Sequence, residues 1–250
     1  MDLGSNTVLI TGGASGIGFA LAERFIQAGS AVIVCGRRED ALRAAKDRHR
    51  EIEIRVGDVE TAAGRLALHQ WAVAEFPRLN VLVNNAGIQR RGVRLADPGG
   101  DGEWEHSHQE IAINFEAPVN LSRLFVPHLK KQKRAAIVNV TSGLGFAPLA
   151  AVPIYSATKA ALHSFTLSLR NQLAETPIQV VEVIPPAVNT DLGGAGLHTA
   201  GVPVDEFADA VMRRMKDGDL EIAYGFAQQA SRASRAELDQ MFSRMNQSSR

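Results

Sequence analysis

Short apolar runs recur from end to end of the chain, and longer stretches with helical spacing of apolar residues lie between them. The runs at 7–11, 31–35, 53–56, 81–84, 135–141, 179–184 and 221–224 read as strands. Several are apolar almost throughout, the pattern of strands covered on both faces of a parallel sheet. The stretches 16–28, 39–50, 62–76, 104–131, 155–175, 205–216 and 234–246 read as helices. Within 155–175, Ala157, Ala160, Ala161, Phe165, Leu169 and Leu173 recur at helical spacing. This alternation predicts an α/β, doubly wound Rossmann fold of about seven mainly parallel strands, with helices on both faces and right-handed crossovers. No repeat, low-complexity tract or Pro/Ser-rich linker divides residues 1–250, which read as a single dinucleotide-binding and catalytic domain. The tail 228–250 reads as a helical segment used for packing or assembly.

Composition narrows the function without choosing it. The 250 residues are 45% apolar, enough for a sizeable core. Basic and acidic side chains balance at 27 each, so nothing draws the chain toward nucleic acid or an anionic membrane. The lone Cys35 excludes an intramolecular disulfide and cannot by itself build a zinc site. Residues 1–5 run straight into a strand, without the basic and apolar regions of a signal peptide, and no apolar run approaches a membrane span. A cytoplasmic protein is the expectation.

The candidate chemistry begins in the first turn. Thr11-Gly12-Gly13-Ala14-Ser15-Gly16-Ile17-Gly18 joins a strand to a helix. Glycine permits a tight turn and a close approach of backbone to a pyrophosphate, while the helix aims free N–H groups and its positive dipole end at the phosphates. The second strand ends Val34-Cys35-Gly36-Arg37-Arg38, with no acidic residue to bind the ribose 2′-hydroxyl of NAD(H). Two arginines suit a 2′-phosphate through forked hydrogen bonds, so NADP(H) is favoured and NAD(H) remains possible. Arg38 reads equally as a solvated charge at a helix start. Asp58 and Val59, after the third strand, suit the adenine edge, although Gly57-Asp58-Val59 is also an ordinary turn.

A tyrosine and a lysine one helical turn apart, Tyr155 and Lys159, supply a proton donor and its tuner. Phenol has a reference pKa of about 10 and needs help to work at neutral pH; a neighbouring ammonium favours the phenolate. Lys159 can also hydrogen-bond the nicotinamide ribose. Ser142 offers a hydroxyl to hold a substrate oxygen beside Tyr155, and Asn114 suits a water that links Lys159 to solvent. Tyr-x-x-x-Lys alone arises by chance in about 5% of chains of this composition. Its conjunction with Ser142, Asn114 and the glycine loop carries the reading.

With these residues in view, the chain resembles the classical short-chain dehydrogenases/reductases over about residues 5–190. Thr11–Gly18 is similar to the family's T-G-x3-G-x-G loop, and Asn84-Asn85-Ala86-Gly87 to its N-N-A-G element. The resemblance implies that Asn85, Ala86 and Gly87 meet the cofactor and that Asn114, Ser142, Tyr155 and Lys159 form the catalytic tetrad. Pro185-Pro-Ala-Val-Asn-Thr190 resembles the P-G-x-V-x-T segment, implying cofactor contacts from Val188 and Thr190. Pro186 departs from the usual glycine, restricting the backbone and removing an N–H. Ser15 stands near where a basic residue often accompanies NADP preference. The segment 148–173 and the tail resemble the bacterial subgroup of DltE-like proteins. The family also implies a homodimer or homotetramer assembled through 104–131 and 155–175.

The expected reaction is hydride transfer between NADP(H) and a small-molecule carbonyl or alcohol. A non-catalytic NADP(H)-binding sensor on the same fold is the alternative, although it has no need of a proton donor. A methyltransferase gives Tyr155, Lys159 and Arg37 no role, and sugar epimerases carry a larger domain after the sheet. Two glycine-rich stretches follow strand ends, 89–103 and 193–203. The first reads as a surface or substrate loop; the second lies within an expected substrate lid, 191–203. Leu192, Leu197, Val202 and Phe146 point to a moderately apolar substrate, with His198 a loop residue.

Overall fold

The computed structural model describes residues 1–91 and 103–247. Seven strands form one sheet: β1 (Thr7–Thr11), β2 (Ala31–Gly36), β3 (Glu53–Val56), β4 (Val81–Asn84), β5 (Ala135–Val140), β6 (Ile178–Ile184) and β7 (Glu221–Ala223). All pairings are parallel, in the order β3-β2-β1-β4-β5-β6-β7. The chain winds outward from β1 to β3, crosses back to β4, and winds outward again. The carboxyl ends of β1 and β4 therefore flank the reversal point where open α/β sheets bind ligands.

The period-2 alternation of each strand divides the core. Val8 and Ile10 of β1, with Val138 and Val140 of β5, face one layer. There α1 (Gly16–Gln27), α2 (Glu39–Arg48) and α7 (Val204–Asp217) contribute Phe25, Leu42 and Phe207. Leu9 of β1 and Ile137 of β5 face the opposite layer, with Leu68 of α3 (Ala62–Glu75), Phe125 of α5 (Ala117–Leu129) and Leu169 of α6 (Pro153–Gln172). Both faces of the sheet are thus covered, as the continuously apolar strands demanded.

Three local features differ from the expected elements. The helix expected over 104–131 is α4 (Glu103–Ile111), a π-helical turn (Ala112–Glu116) and then α5. The π turn carries Asn114 and changes the helix's facing at that position. In α6 the most buried positions include Tyr155, Thr158, Lys159 and Thr166, whereas Ala157 is exposed and Ala160, Ala161 and Phe165 are only partly covered. Hydrogen bonding makes those polar positions tolerable: Thr158 donates to Tyr155 O at 2.8 Å, and Thr166 donates to Leu162 O at 2.7 Å while accepting from Asn139 at 2.9 Å. The tail forms two helices, α8 (Phe226–Arg232) and α9 (Arg235–Met245), the first unanticipated as a separate element. Among the described residues no helix is long and apolar enough to cross a membrane.

Candidate active site

A cleft of about 1080 Å³ opens at the carboxyl ends of β1, β4, β5 and β6. Gly12, Ser15, Gly16 and Ile17 form one wall, at the amino end of α1. No side chain caps that helix, and its first turn holds no acidic residue, so its N–H groups face the cleft. Gly12 adopts φ +63°, and a Cβ there would stand 2.9 Å from Ala86 Cα. Only glycine fits that approach. Gly18 stands apart from the lining: a Cβ would collide with Asn85 Nδ2 and would stand 2.5 Å from Gly12 O, so its place is helix-to-strand packing. Asn85 locks the loop by donating from Nδ2 to Thr11 O at 3.0 Å and Gly12 O at 3.1 Å. Thr11 Oγ1 in turn accepts the N–H groups of Asn85 and Ala86, both at 3.1 Å.

Further along, Arg37, Arg38, Asp58 and Val59 line the end beyond β2 and β3. Arg38 donates to Ser15 Oγ at 3.1 Å, tying the segment after β2 to the loop after β1. Arg37 is half-exposed and pairs with Glu60 at 3.4 Å, an acidic neighbour that its motif did not announce. Glu60 also accepts from Gln109 Nε2 at 2.6 Å, and Gln109 accepts from Arg90. Asn85, Ala86, Gly87, Val188 and Thr190 complete this wall. Pro186 lines the cleft, and the residues after it keep their places: Val188 bridges to Val202, and Thr190 abuts Gly16.

The opposite end gathers Ser142, Tyr155 and Lys159. β5 ends at Val140, and Ser142 caps the following 3-10 turn by accepting from Leu144 N at 3.2 Å. α6 presents Tyr155 and Lys159 one turn apart, both buried. Burial dominates at Tyr155 and pushes its phenol up to about 12, against the opposing effect of the neighbouring Ser142 hydroxyl. The expected lowering by Lys159 is therefore not the controlling effect in this state. The lysine sits over the ring, with Nζ 5.6 Å from its centroid, and donates to Val140 O at 2.8 Å. Burial also lowers Lys159 itself, to about 8. Asn114 lies behind the cleft wall, 1% exposed, donating to Ile88 O at 2.8 Å and Thr158 Oγ1 at 3.3 Å. A Cβ on Gly87 would lie 3.3 Å from Asn114 Oδ1 and 3.7 Å from Lys159 Nζ, so this glycine keeps the space between them open.

The rest of the lining combines Leu144, Leu149, Leu192 and Phe226 with Gln89, Arg90 and His198. The segment expected as a lid, 191–203, is pinned at its base, Asn189 N to Val202 O at 2.8 Å and Val202 N to Ala187 O at 2.9 Å, and its tip is largely exposed. Of the apolar residues expected at the substrate, Leu192 lines the cleft. Leu197 is exposed, Val202 packs on the core, and Phe146 stacks against His163 at 4.5 Å. The glycine-rich stretch 98–102 lies outside the described residues. Met245, at the end of α9, also lines the cleft, so the tail contributes a wall that its polar sequence concealed. Glu110, the last-turn glutamate of α4, is fully buried although its sequence reads as a surface position.

The architecture has close parallels among known proteins. The short chain dehydrogenase family model matches residues 6–199. The chain belongs to the short-chain dehydrogenase family. It is 46% identical to the uncharacterized oxidoreductase DltE of Bacillus subtilis over 251 residues, covering 98% of each chain. It is 33% identical to the NADP-dependent 3-hydroxy acid dehydrogenase YdfG of Escherichia coli over 179 residues, 71% of each. Among solved structures, a short-chain dehydrogenase from Sphingobium yanoikuyae in complex with NADPH superposes with a TM-score of 0.79 at 28% identity, covering 98% of this chain and 95% of that one. As a member of this family, in its DltE-like group, the chain is an NAD(P)-dependent oxidoreductase.

Proposed function

We propose that this protein transfers hydride between NADP(H) and a carbonyl or secondary alcohol, with Tyr155 as general acid–base. The observation that carries this reading is the convergence of Ser142, Tyr155 and Lys159 on one end of the cleft whose other end is an uncapped, glycine-lined helix start. When bound, the nicotinamide supplies or accepts the hydride. Gly12, Ser15, Gly16 and Ile17 would hold its pyrophosphate, Arg37 and Arg38 its 2′-phosphate, and Val188 and Thr190 the segment beside the nicotinamide. The NADP dependence of a relative and the NADPH complex of a structural neighbour support that preference. NAD(H) is the weaker alternative, because the carboxylate beside Arg37 is that of Glu60, already paired with the guanidinium.

In the reductive direction Ser142 holds the carbonyl oxygen. As hydride reaches the carbonyl carbon, the Tyr155 hydroxyl gives its proton to that oxygen, leaving a phenolate. The Lys159 ammonium supports that negative charge in a site from which water is largely excluded. The proton lost by Tyr155 is replaced from solvent. Gln89, Arg90 and His198 each present a buried polar atom without a partner among the described residues, beside apolar Leu144, Leu149 and Leu192. This lining suits a substrate with an apolar body and at least one further polar group. A panel of aldehydes and ketones, followed by NADPH consumption, tests the reading. Tyr155→Phe is expected to lower kcat by about 10³-fold, within the range for loss of a general acid, with NADPH affinity unchanged. Wild-type turnover in that variant overturns the mechanism. NADPH binding without turnover across the panel favours a sensor.

A further inference from the structure

Two glutamates of the described core are fully buried, Glu110 and Glu182. Glu182 is satisfied: it accepts from Thr141 at 2.8 Å and pairs with His163 at 3.0 Å. Glu110 is not. Its Oε1 accepts from Arg90 N at 3.1 Å, and its Oε2 is buried with no hydrogen-bond partner among the described residues. A buried carboxylate left half-satisfied is costly unless a nearby charge offsets it. The guanidinium of Arg90 is turned to Gln109, not to this carboxylate. The other cation facing Glu110 is Lys159, from α6. Lys159 in turn binds a neutral carbonyl, Val140 O, and has no carboxylate within ion-pairing distance among the described residues. Glu110 and Lys159 are thus two buried groups of opposite charge with no ion pair between them among the described residues. A Cβ on Gly87 would lie 3.3 Å from Asn114 Oδ1 and 3.7 Å from Lys159 Nζ, and Asn114 follows Glu110 by four residues.

We propose that Glu110 is a positioning residue for the reaction: its carboxylate holds Lys159 in the ammonium form, and so determines the pH above which Tyr155 loses its cationic support. The groups facing Glu110 are Arg90 from the segment after β4 and Tyr155 and Lys159 from α6. Burial raises Glu110 to about 7, with Arg90 and Lys159 opposing the rise. Burial lowers Lys159, and Glu110 opposes that fall. Removing the carboxylate leaves Lys159 only the unfavourable effect of burial, so its ammonium is lost at lower pH. The importance for catalysis rests on the functional reading above; the charge coupling belongs to the protein without ligand.

The test uses carbon-13-labelled lysine in the full chain. Six lysines are present, and Lys159→Arg identifies the Lys159 signal. In Glu110→Gln, which keeps the size and an oxygen for Arg90 N, the Lys159 titration midpoint is expected to fall by about one pH unit, a tenfold loss of proton affinity. Glu110→Asp should restore most of it. Equal midpoints in the wild type and Glu110→Gln overturn the proposal. Should the variants misfold, the wild-type curve decides: it should carry a second inflection near pH 7 as Glu110 titrates, and a single-step curve overturns the coupling. With an active substrate, the alkaline limb of kcat/KM should move to lower pH in Glu110→Gln by the same amount, and an unmoved limb counts against the positioning role. A wild type without turnover counts against the functional reading alone, and the lysine titration still decides the coupling.

Discussion

A half-exposed guanidinium held by a single carboxylate at 3.4 Å is free to exchange partners, and Arg37 is in that position. A solvent-exposed pair of this kind is worth little, so a phosphate can displace Glu60 at small cost. Arg37→Ala is therefore expected to raise the KM for NADPH by about 10- to 100-fold, the scale of a lost charge-assisted hydrogen bond, with a far smaller effect on NADH. An equal effect on both cofactors overturns the 2′-phosphate assignment. The candidate catalytic residues were legible as residue types at a spacing: Tyr155 and Lys159 one turn apart, Ser142 upstream. Their electrostatics were not. A sequence shows an ammonium beside a phenol; it does not show that both are buried, and burial is what holds the phenol near 12. In this state Tyr155 is a loaded proton donor, the form that reduction requires. Glu110 was invisible for the same reason, since a glutamate in an amphipathic helix reads as surface until its neighbours are placed.

Elements of regular period were read with boundaries within about three residues, because burial on both sides of a parallel sheet leaves few other patterns for the strands. The break at Ala112–Glu116 escaped, since a π turn adds one residue per turn without a distinct composition. The tail escaped for a different reason. α9 has no buried residue of its own, and what attaches its end is Asn246, 8% exposed. Asn246 accepts from Ala150 N at 2.6 Å and donates to Pro148 O at 3.1 Å. Two backbone hydrogen bonds nearly a hundred positions away thus bring Met245 to the cleft. Asn246→Ala is expected to lower the local stability of α9 by about 1–3 kcal/mol, the cost of leaving buried partners unsatisfied. Faster amide exchange over residues 235–245 would register this, with a raised substrate KM and an unchanged NADPH Kd. Unaltered exchange shows that the helix is held by other contacts.

Over the whole molecule, the sheet order brings together residues that the chain separates widely, Gly12 with Ala86, Gly16 with Thr190, Ser142 with Tyr155. The outer face of α6 is left uncovered by the described residues: Ala157 and Leu167 are exposed, and Ala160 and Ala161 partly so. We take this face as the place where copies of the chain associate, consistent with the assembly that the family resemblance implied. Sedimentation should give a mass of at least two 26.9 kDa chains, reduced to one by Ala161→Glu with Leu167→Glu. A monomeric wild type removes the idea. What the sequence determined by itself was periodic or local: strands and helices come from apolar spacing, the loop from its glycines, the reaction class from a hydroxyl, a phenol and an amine in register. What only the tertiary structure decided was relational. The pairing of Arg37 with Glu60, the burial of Glu110 by the segment after β4 and the docking of the tail all join distant segments. Their energies depend on burial and distance, quantities that exist only once the sheet has set which ends of which strands meet.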